Sequence, residues 1–146
     1  MSWLRALRRL AADRCGAVVV EFALLAPAFI VMLFGVLQVG IALQNYNAMR
    51  SLSADIARYA MIEHAKGTVM SNSALTTWAE NHGTGAPYLL LADNLDVTIT
   101  PVTTPQITDA TELTLTIEYQ IPSVLSSMGL EGPEVDYVRP IFLADS

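Results

Sequence analysis

The chain has 146 residues, 53% of them hydrophobic and 15% charged, so it has room for one small domain and is more apolar than most soluble domains. Four arginines and one aspartate give the first sixteen residues a charge of +3, whereas the remainder carries −9. An acidic domain repels phosphate, which argues against a nucleic-acid partner. The single cysteine, Cys15, excludes an internal disulfide, so packing alone must hold the fold.

The apolar residues concentrate near the N-terminus. Residues 17–37 contain one charge, Glu21, and as a helix they would extend over roughly 31 Å, enough to cross a bilayer core. The basic residues come just before this segment, and the twelve residues after it are uncharged. The positive-inside rule therefore predicts a single-pass protein with a cytoplasmic N-terminus, oriented by Arg5, Arg8, Arg9 and Arg14.

The helical pattern continues beyond the apolar segment, so removal of the whole segment as a secretory signal is not expected. We predict one helix over about residues 18–65, ended by Gly67, with a kink at Pro27. Apolar residues recur in it at steps of three and four, which predicts a buried stripe: Leu43, Tyr46, Ala48, Met49, Leu52, Ile56, Tyr59, Ala60 and Ile62.

Glu21 is unusual because a carboxylate inside a membrane-spanning segment costs a few kcal/mol unless it is near the interface, neutralised or paired. One interpretation is that its side chain reaches back to the cytoplasmic face. The other is that it meets a cation on a neighbouring subunit. The position of the charge alone does not decide between them.

The residues around Glu21 resemble the processing site of type IV pilin-like precursors. In that group a short basic leader ends in glycine, and an apolar helix follows with glutamate at its fifth position. Here the sequence reads RCGAVVVEF from Arg14 to Phe22. Cleavage after Gly16 would make Ala17 the first residue and Glu21 the fifth.

The segment from Gly16 to Gly40 is similar to the N-terminal signature of the TadE-like family, the minor pilins or pseudopilins of tight-adherence (Flp) pilus systems. Leu113–Pro122 and Gly129 match the weaker C-terminal pattern of that family. The chain is too long to resemble the major Flp pilin, and Ala23 after Phe22 also favours a TadE-like protein. The resemblance does not separate TadE from TadF.

The resemblance implies a minor pilin that takes part in assembly of a tight-adherence type IV pilus. Its expected partners are the membrane, TadE-type and TadF-type subunits, the Flp major pilin and a prepilin peptidase. It would lie in the bacterial inner membrane with its C-terminal domain in the periplasm, and whether it enters the pilus stays open. Gly16 and Ala17 would flank the cut, and Glu21 and Phe22 would dock against another subunit.

Two other functions are compatible with the same sequence. One is an uncleaved, signal-anchored periplasmic binding or scaffold protein. The other is a membrane-tethered enzyme, which has less support because the sequence contains neither a nucleophile turn nor a phosphate-binding glycine loop. We therefore expect no catalytic residues, no cofactor and no small-molecule substrate.

The histidines and carboxylates do not match a metal motif. His64 and His82 are eighteen residues apart, with Glu63 and Glu80 beside them, and this spacing fits no ligand pattern. Two acidic clusters lack the dense oxygen ligands of a calcium loop and are interpreted as solvated turns: Asp93 with Asp96, and Glu131 with Glu134 and Asp136. We expect no metal site.

Beyond Gly67 the pattern predicts a small domain. A short helix is expected over 71–81, capped by Asn72 or Ser73, with Leu75, Trp78 and Ala79 on its apolar face. Alternating apolar residues predict strands at 95–100 and 113–121. A third strand is expected at 135–143, placed at an edge or shortened by its proline, Pro140.

These elements predict an α+β fold in which a small antiparallel sheet packs on the outer half of a long helical spine, through Leu52, Ile56 and Tyr59. The chain then divides into a basic leader at 1–16 and a transmembrane helix at 17–43. An extramembrane continuation of the helix follows at 44–66, and the small exported domain at 67–146.

Overall fold

A computed structural model describes residues 14–68, 70–107, 110–126 and 129–144. The predicted leader residues Arg5, Arg8 and Arg9 lie outside the described residues. The elements in chain order are helix α1 (Arg14–Ala65), helix α2 (Asn72–Thr84), a short 3₁₀ helix (Ala92–Asn94), and strands β1 (Leu95–Pro101), β2 (Ala110–Gln120) and β3 (Glu134–Ala144).

Helix α1 is 52 residues long and includes Pro27 in its interior. It ends as the sequence predicts. Gly67 adopts a positive φ of 76°, which glycine tolerates without steric cost. The Gly67 N–H donates to the His64 carbonyl and the Thr68 N–H to the Glu63 carbonyl, at 2.9 and 3.1 Å. This pair of bonds is a Schellman cap, and it satisfies carbonyls that the end of a helix otherwise leaves unpaired.

The chain forms two compact units, one up to Val39 and one from Gly40 onward, and helix α1 contributes to both. The second unit contains the sheet, whose strand order is β1-β2-β3 with both neighbouring pairs antiparallel. The central strand, β2, pairs residue by residue with both neighbours. Its pairing with β1 starts at Leu95 opposite Tyr119, and its pairing with β3 starts at Ala110 opposite Ala144. Pro140 lies in the edge strand β3, as predicted, but β3 is not shortened and spans 11 residues.

The core of the second unit lies between helix α1 and one face of the sheet. The alternation in β1 and β2 places Val97, Leu115 and Ile117 inside, each at most 3% exposed. The predicted α+β fold, with a long apolar helix and a small antiparallel sheet, is therefore confirmed. The other core residues are Met49, Leu52, Ile56, Ala57, Ala60, Leu75, Ala79, Leu90, Leu95, Ile99, Leu113, Tyr119, Ile121 and Ile141.

The buried stripe of helix α1 is narrower than its sequence pattern suggests. Leu52 and Ile56 are fully buried, as predicted, and Tyr59 packs at the edge of the core. Tyr46, also expected on this stripe, is 39% exposed and lies beside the ring of Tyr137. Leu43 and Ile62 were expected on the same stripe but are 59% and 45% exposed. The expectation was wrong for these two because they lie round the helix from Leu52 and Ile56, where no described element covers them.

Helix α2 begins at Asn72, one residue after the predicted start, and continues to Thr84, three residues beyond the predicted end. Ser71 is the N-cap, and its hydroxyl accepts a hydrogen bond from the Ala74 N–H at 3.2 Å, so the expected cap at Asn72 or Ser73 is wrong. The helix also includes Gly83, where a Cβ would lie 2.7 Å from Leu52 Cδ2 and 2.9 Å from Leu95 Cδ2. A side chain at position 83 would therefore require the ends of Leu52 and Leu95 to move.

Candidate membrane and assembly segment

Helix α1 contains the one candidate membrane span among the described residues, and its apolar window is uncovered in the structure. Phe22 is 71% exposed, Leu24 75% and Val36 74%. The exposed apolar residues lie on every side of the helix, which in water would be unfavourable and is typical of a lipid-facing or subunit-facing helix. The others up to Val39 are Val18, Val19, Val20, Leu25, Phe29, Ile30, Val31, Met32, Leu33, Leu37 and Val39.

The predicted docking residues lie together in this segment. Glu21 is exposed, and no hydrogen bond or ion pair joins its carboxylate to any other residue that the structure describes. Phe22 follows it on the helix and is also exposed. A single copy of the chain therefore leaves both the charge and the adjacent aromatic ring available to a partner.

The peptide bond between Gly16 and Ala17 lies inside helix α1, which begins at Arg14, four residues before the predicted start at about residue 18. A Cβ at Gly16 would meet nothing within 4 Å, and the same holds for Gly35 and Gly40. Packing within the chain therefore does not require glycine at position 16. Arg14 belongs to the same helix.

The second unit brings together no metal-binding group of three or more His, Cys, Asp or Glu side chains within its described residues. The two histidines have separate roles. His64 Nε2 lies 3.1 Å from the Ala144 carbonyl oxygen, next to the end of β3. His82 stacks on Trp78, with ring centroids 4.6 Å apart.

An aromatic ladder, which the sequence analysis did not identify, joins the two helices. Tyr59 of α1 and Trp78 of α2 stack almost parallel with centroids 3.9 Å apart, and His82 and Tyr88 continue the row. The Tyr88 hydroxyl donates to the Asp55 carboxylate, and burial together with this bond raises the pKa of Tyr88 to about 12. The four-residue step from Trp78 to His82 was the available signal.

Asp96 and Asp136 were expected in solvated turns, and this was wrong because both lie in strands, where they form a row across the sheet with Glu118. Asp96 pairs with Glu118, which pairs with Asp136, and all three are exposed. Asp93 and Glu134, at the same end of the sheet, line a shallow concavity of about 200 Å³ together with Asp96 and Glu118.

An uncovered apolar helix with one carboxylate continues into the core of a small α+β unit, and this arrangement fits a single-pass membrane anchor that carries a small domain. The family model described as TadE-like protein matches residues 16–58. The resemblance to this family is therefore confirmed over the segment that includes Gly16, Ala17, Glu21 and Phe22. Neither the curated proteins nor the solved structures gave a match.

The match associates the chain with the tight-adherence pilus machinery and with the membrane. The TadE-like family consists of pilus components and not of enzymes, and the apolar helix fits a single-pass anchor. The matched segment also includes Met49, Leu52 and Ile56, so it extends from the membrane segment into the core of the second unit.

Proposed function

We propose that the chain is a minor pilin or pseudopilin that takes part in assembly of a tight-adherence type IV pilus. In this proposal Arg5, Arg8, Arg9 and Arg14 hold the N-terminus on the cytoplasmic side of the bacterial inner membrane, and the unit from Gly40 onward faces the periplasm. A prepilin peptidase cuts after Gly16. The TadE-like match over residues 16–58 supports the class of protein.

The observation that carries the proposal is the uncovered helix with its unpaired carboxylate. In a hydrocarbon layer an isolated Glu21 is costly, whereas a nearby cation compensates much of that cost. Cleavage after Gly16 creates such a cation, the α-ammonium of Ala17. The Ala17 amine of one subunit and Glu21 of the next then pair within the lipid, and Phe22 packs beside them. Pairing at a fixed position sets the register between subunits.

Gly16 assists the cut through its effect on the helix. A peptidase acts on an extended backbone, so the helix around the Gly16–Ala17 bond must unwind first. Glycine destabilises a helix by about 1 kcal/mol relative to alanine, which lowers the cost of unwinding at this point. Because a side chain at position 16 would meet no atom within 4 Å, substitution tests recognition and unwinding without a packing clash.

Mass spectrometry of the membrane-extracted protein tests the cut. In cells that contain the peptidase, we expect a mature N-terminus at Ala17. The Gly16→Val variant should keep the leader, and the matched Gly35→Val variant, equally free of contacts, should be cut normally. An intact leader on the unmodified chain would contradict the proposal and favour an uncleaved, signal-anchored binding or scaffold protein.

Piliation of cells that carry Glu21 variants tests the docking charge. Glu21→Gln keeps the shape of the side chain and removes its charge, so we expect membrane insertion to persist and piliation to fall. Glu21→Asp keeps the charge and should retain part of the function. Normal piliation with Glu21→Gln would rule out the proposed role of this carboxylate.

A further inference from the structure

Among the described residues no helix or strand covers the outer face of the sheet around Asp96, Glu118 and Asp136, whereas the β1–β2 connection buries Glu112 at the far end of that face. Helix α1 covers the other face through Leu52 and Ile56. On the outer face Asp96, Glu118 and Asp136 lie directly opposite one another. Like charges in directly opposed positions destabilise a sheet, so this row of carboxylates favours any cation that approaches it.

Beside the acidic row is a neutral row. Thr98 pairs with Thr116 and Thr116 with Val138, and the Val138 side chain is 55% exposed. The outer face therefore combines a band of negative charge with an adjacent band of threonines and one exposed valine. A matching partner would present cations beside small or apolar side chains.

The outward side of helix α1 presents this combination. Arg50, Ala54 and Arg58 follow one another at four-residue steps, which puts them in one line on the helix, and all three are exposed. The exposed Met61 continues the line. No ion pair joins Arg50 or Arg58 to a carboxylate of the residues that the structure describes. These two arginines are half of the four basic residues after position 17.

The two surfaces agree in size and cannot meet within one molecule. Arg50 and Arg58 are separated by about 12 Å along the helix, and the carboxylate row spans about 10 Å across three strands. The helix buries Met49, Leu52 and Ile56 against the inner face of the sheet, so its exposed side and the outer face of the sheet lie on opposite sides of the unit. Contact requires a second copy.

We propose that copies of this chain associate head to tail, with the Arg50–Arg58 side of helix α1 in one copy docked on the Asp96–Glu118–Asp136 face of the next. The contact is heterologous, because each copy offers a different surface. A heterologous contact that does not close into a ring extends into an open, filament-like row. The inference deepens the proposed function, on which it rests, by naming the surfaces outside the membrane through which subunits stack.

Cysteine cross-linking in native membranes tests the contact with the full chain. Two differently tagged copies are co-expressed in a Cys15→Ser background, one with Ala54→Cys and the other with Thr98→Cys. After mild oxidation we expect a disulfide-linked dimer that carries both tags. A copy with Thr77→Cys, which is exposed on helix α2 away from both surfaces, replaces the Thr98→Cys copy as the matched control. Equal cross-linking by the control would overturn the proposal.

Charge exchange separates docking from folding. Reversing the charge of the helix surface with Arg50→Glu and Arg58→Glu should reduce the yield of the mixed dimer about tenfold. Replacing all three carboxylate residues of the row by lysine should have the same effect. Combining the charge-reversed helix surface on one copy with the charge-reversed sheet surface on the other should restore the yield of the mixed dimer. Restoration cannot arise from misfolded copies. Failure of either single reversal to reduce the dimer, or failure of the combination to restore it, overturns the proposal.

The result can be separated from that of the proposed function. Cleavage after Gly16 is read from the mass of the same extracted protein. A correctly cut chain without the mixed dimer would refute head-to-tail stacking and leave the pilin function standing. A mixed dimer of uncut chains would support the stacking surfaces and refute the processing step.

Discussion

The two units of this chain use one helix in opposite ways. Up to Val39 the helix exposes apolar side chains on all sides, with Leu24 75% exposed, whereas beyond Gly40 it buries Leu52 completely. The difference lies in the polar residues. In the second unit, charged and polar side chains of the helix alternate with the apolar stripe and define a solvent-facing side, whereas between Ala17 and Val39 the only charged residue is Glu21. The pattern of polar residues therefore decides whether a helix builds a core or needs an apolar surrounding.

The largest expected effect comes from replacing a leucine by alanine in each of the two units. Leu52→Ala removes a fully buried side chain and should lower the free energy of unfolding of the second unit by about 2–5 kcal/mol. Leu24→Ala should leave that free energy unchanged. Denaturant unfolding of the full chain in micelles, followed by Trp78 fluorescence in a Trp3→Phe background, measures both. Equal effects would mean that the two parts of the helix share one core.

Glycines extend the comparison. Gly83→Ala places a Cβ 2.7 Å from Leu52 Cδ2, so we expect a loss of about 1–3 kcal/mol in the free energy of unfolding. Gly35→Ala meets nothing within 4 Å, and Gly85→Ala meets only carbonyl oxygens at ordinary contact distances. Both controls should unfold at the denaturant concentration of the parent chain. A Gly83→Ala chain as stable as the Gly85→Ala chain would contradict this prediction and show that Leu52 shifts to accommodate the added methyl group.

A smaller effect is expected at the start of helix α2. Ser71→Ala removes the side-chain acceptor of the Ala74 N–H and should cost about 1 kcal/mol of unfolding free energy. Asn72→Ala, one residue further, leaves this bond intact and should cost less. The same unfolding measurement compares the two variants. A larger loss of stability for Asn72→Ala than for Ser71→Ala would indicate that Asn72 is the N-cap.

The smallest effect is confined to alkaline pH. In the folded chain the pKa of Tyr88 is raised from its ordinary value of 10.0 to about 12, so Tyr88 keeps its proton to higher pH than in the unfolded chain. The unfolded chain loses this proton first, so stability should decrease as the pH rises from 10 towards 12. Tyr88→Phe should remove this part of the decrease, and the tyrosinate absorbance of the folded chain should lose its latest-titrating component. An unchanged titration would show that Tyr88 ionises normally.

Local patterns predicted the elements but not how they meet. Alternation in β1 and β2 identified Val97, Leu115 and Ile117 as buried, because a strand with one wet face shows its period directly in the sequence. The positive φ of Gly67 was likewise predictable as the end of a helix. Helix positions such as Leu43 were misassigned, because an apolar residue near the stripe is buried only if another element reaches it.

Contacts made by the connections between elements had no local signal. Glu112 is only 4% exposed, and its carboxylate accepts the Gln106 N–H at 2.7 Å, which fastens the connection between β1 and β2. In the sequence Glu112 is an ordinary charged residue before a predicted strand, and nothing there indicates that it is buried. Gly16 and Glu21, to which we assign roles in processing and assembly only as a proposal, differ in another respect. Their motif is visible in the sequence, but their proposed partners belong to other molecules, so the fold of one chain does not test their roles.

Pro140 in the edge strand β3 has a consequence for how such a protein can polymerise. Exposed strand edges recruit further strands, and this recruitment leads to amyloid-like growth when it is not blocked. Proline offers no N–H to an added strand, so continuous backbone pairing along β3 is interrupted at this residue. If the chain is the pilus subunit proposed above, Pro140 disfavours irreversible strand-to-strand growth and leaves ordered assembly through other surfaces open.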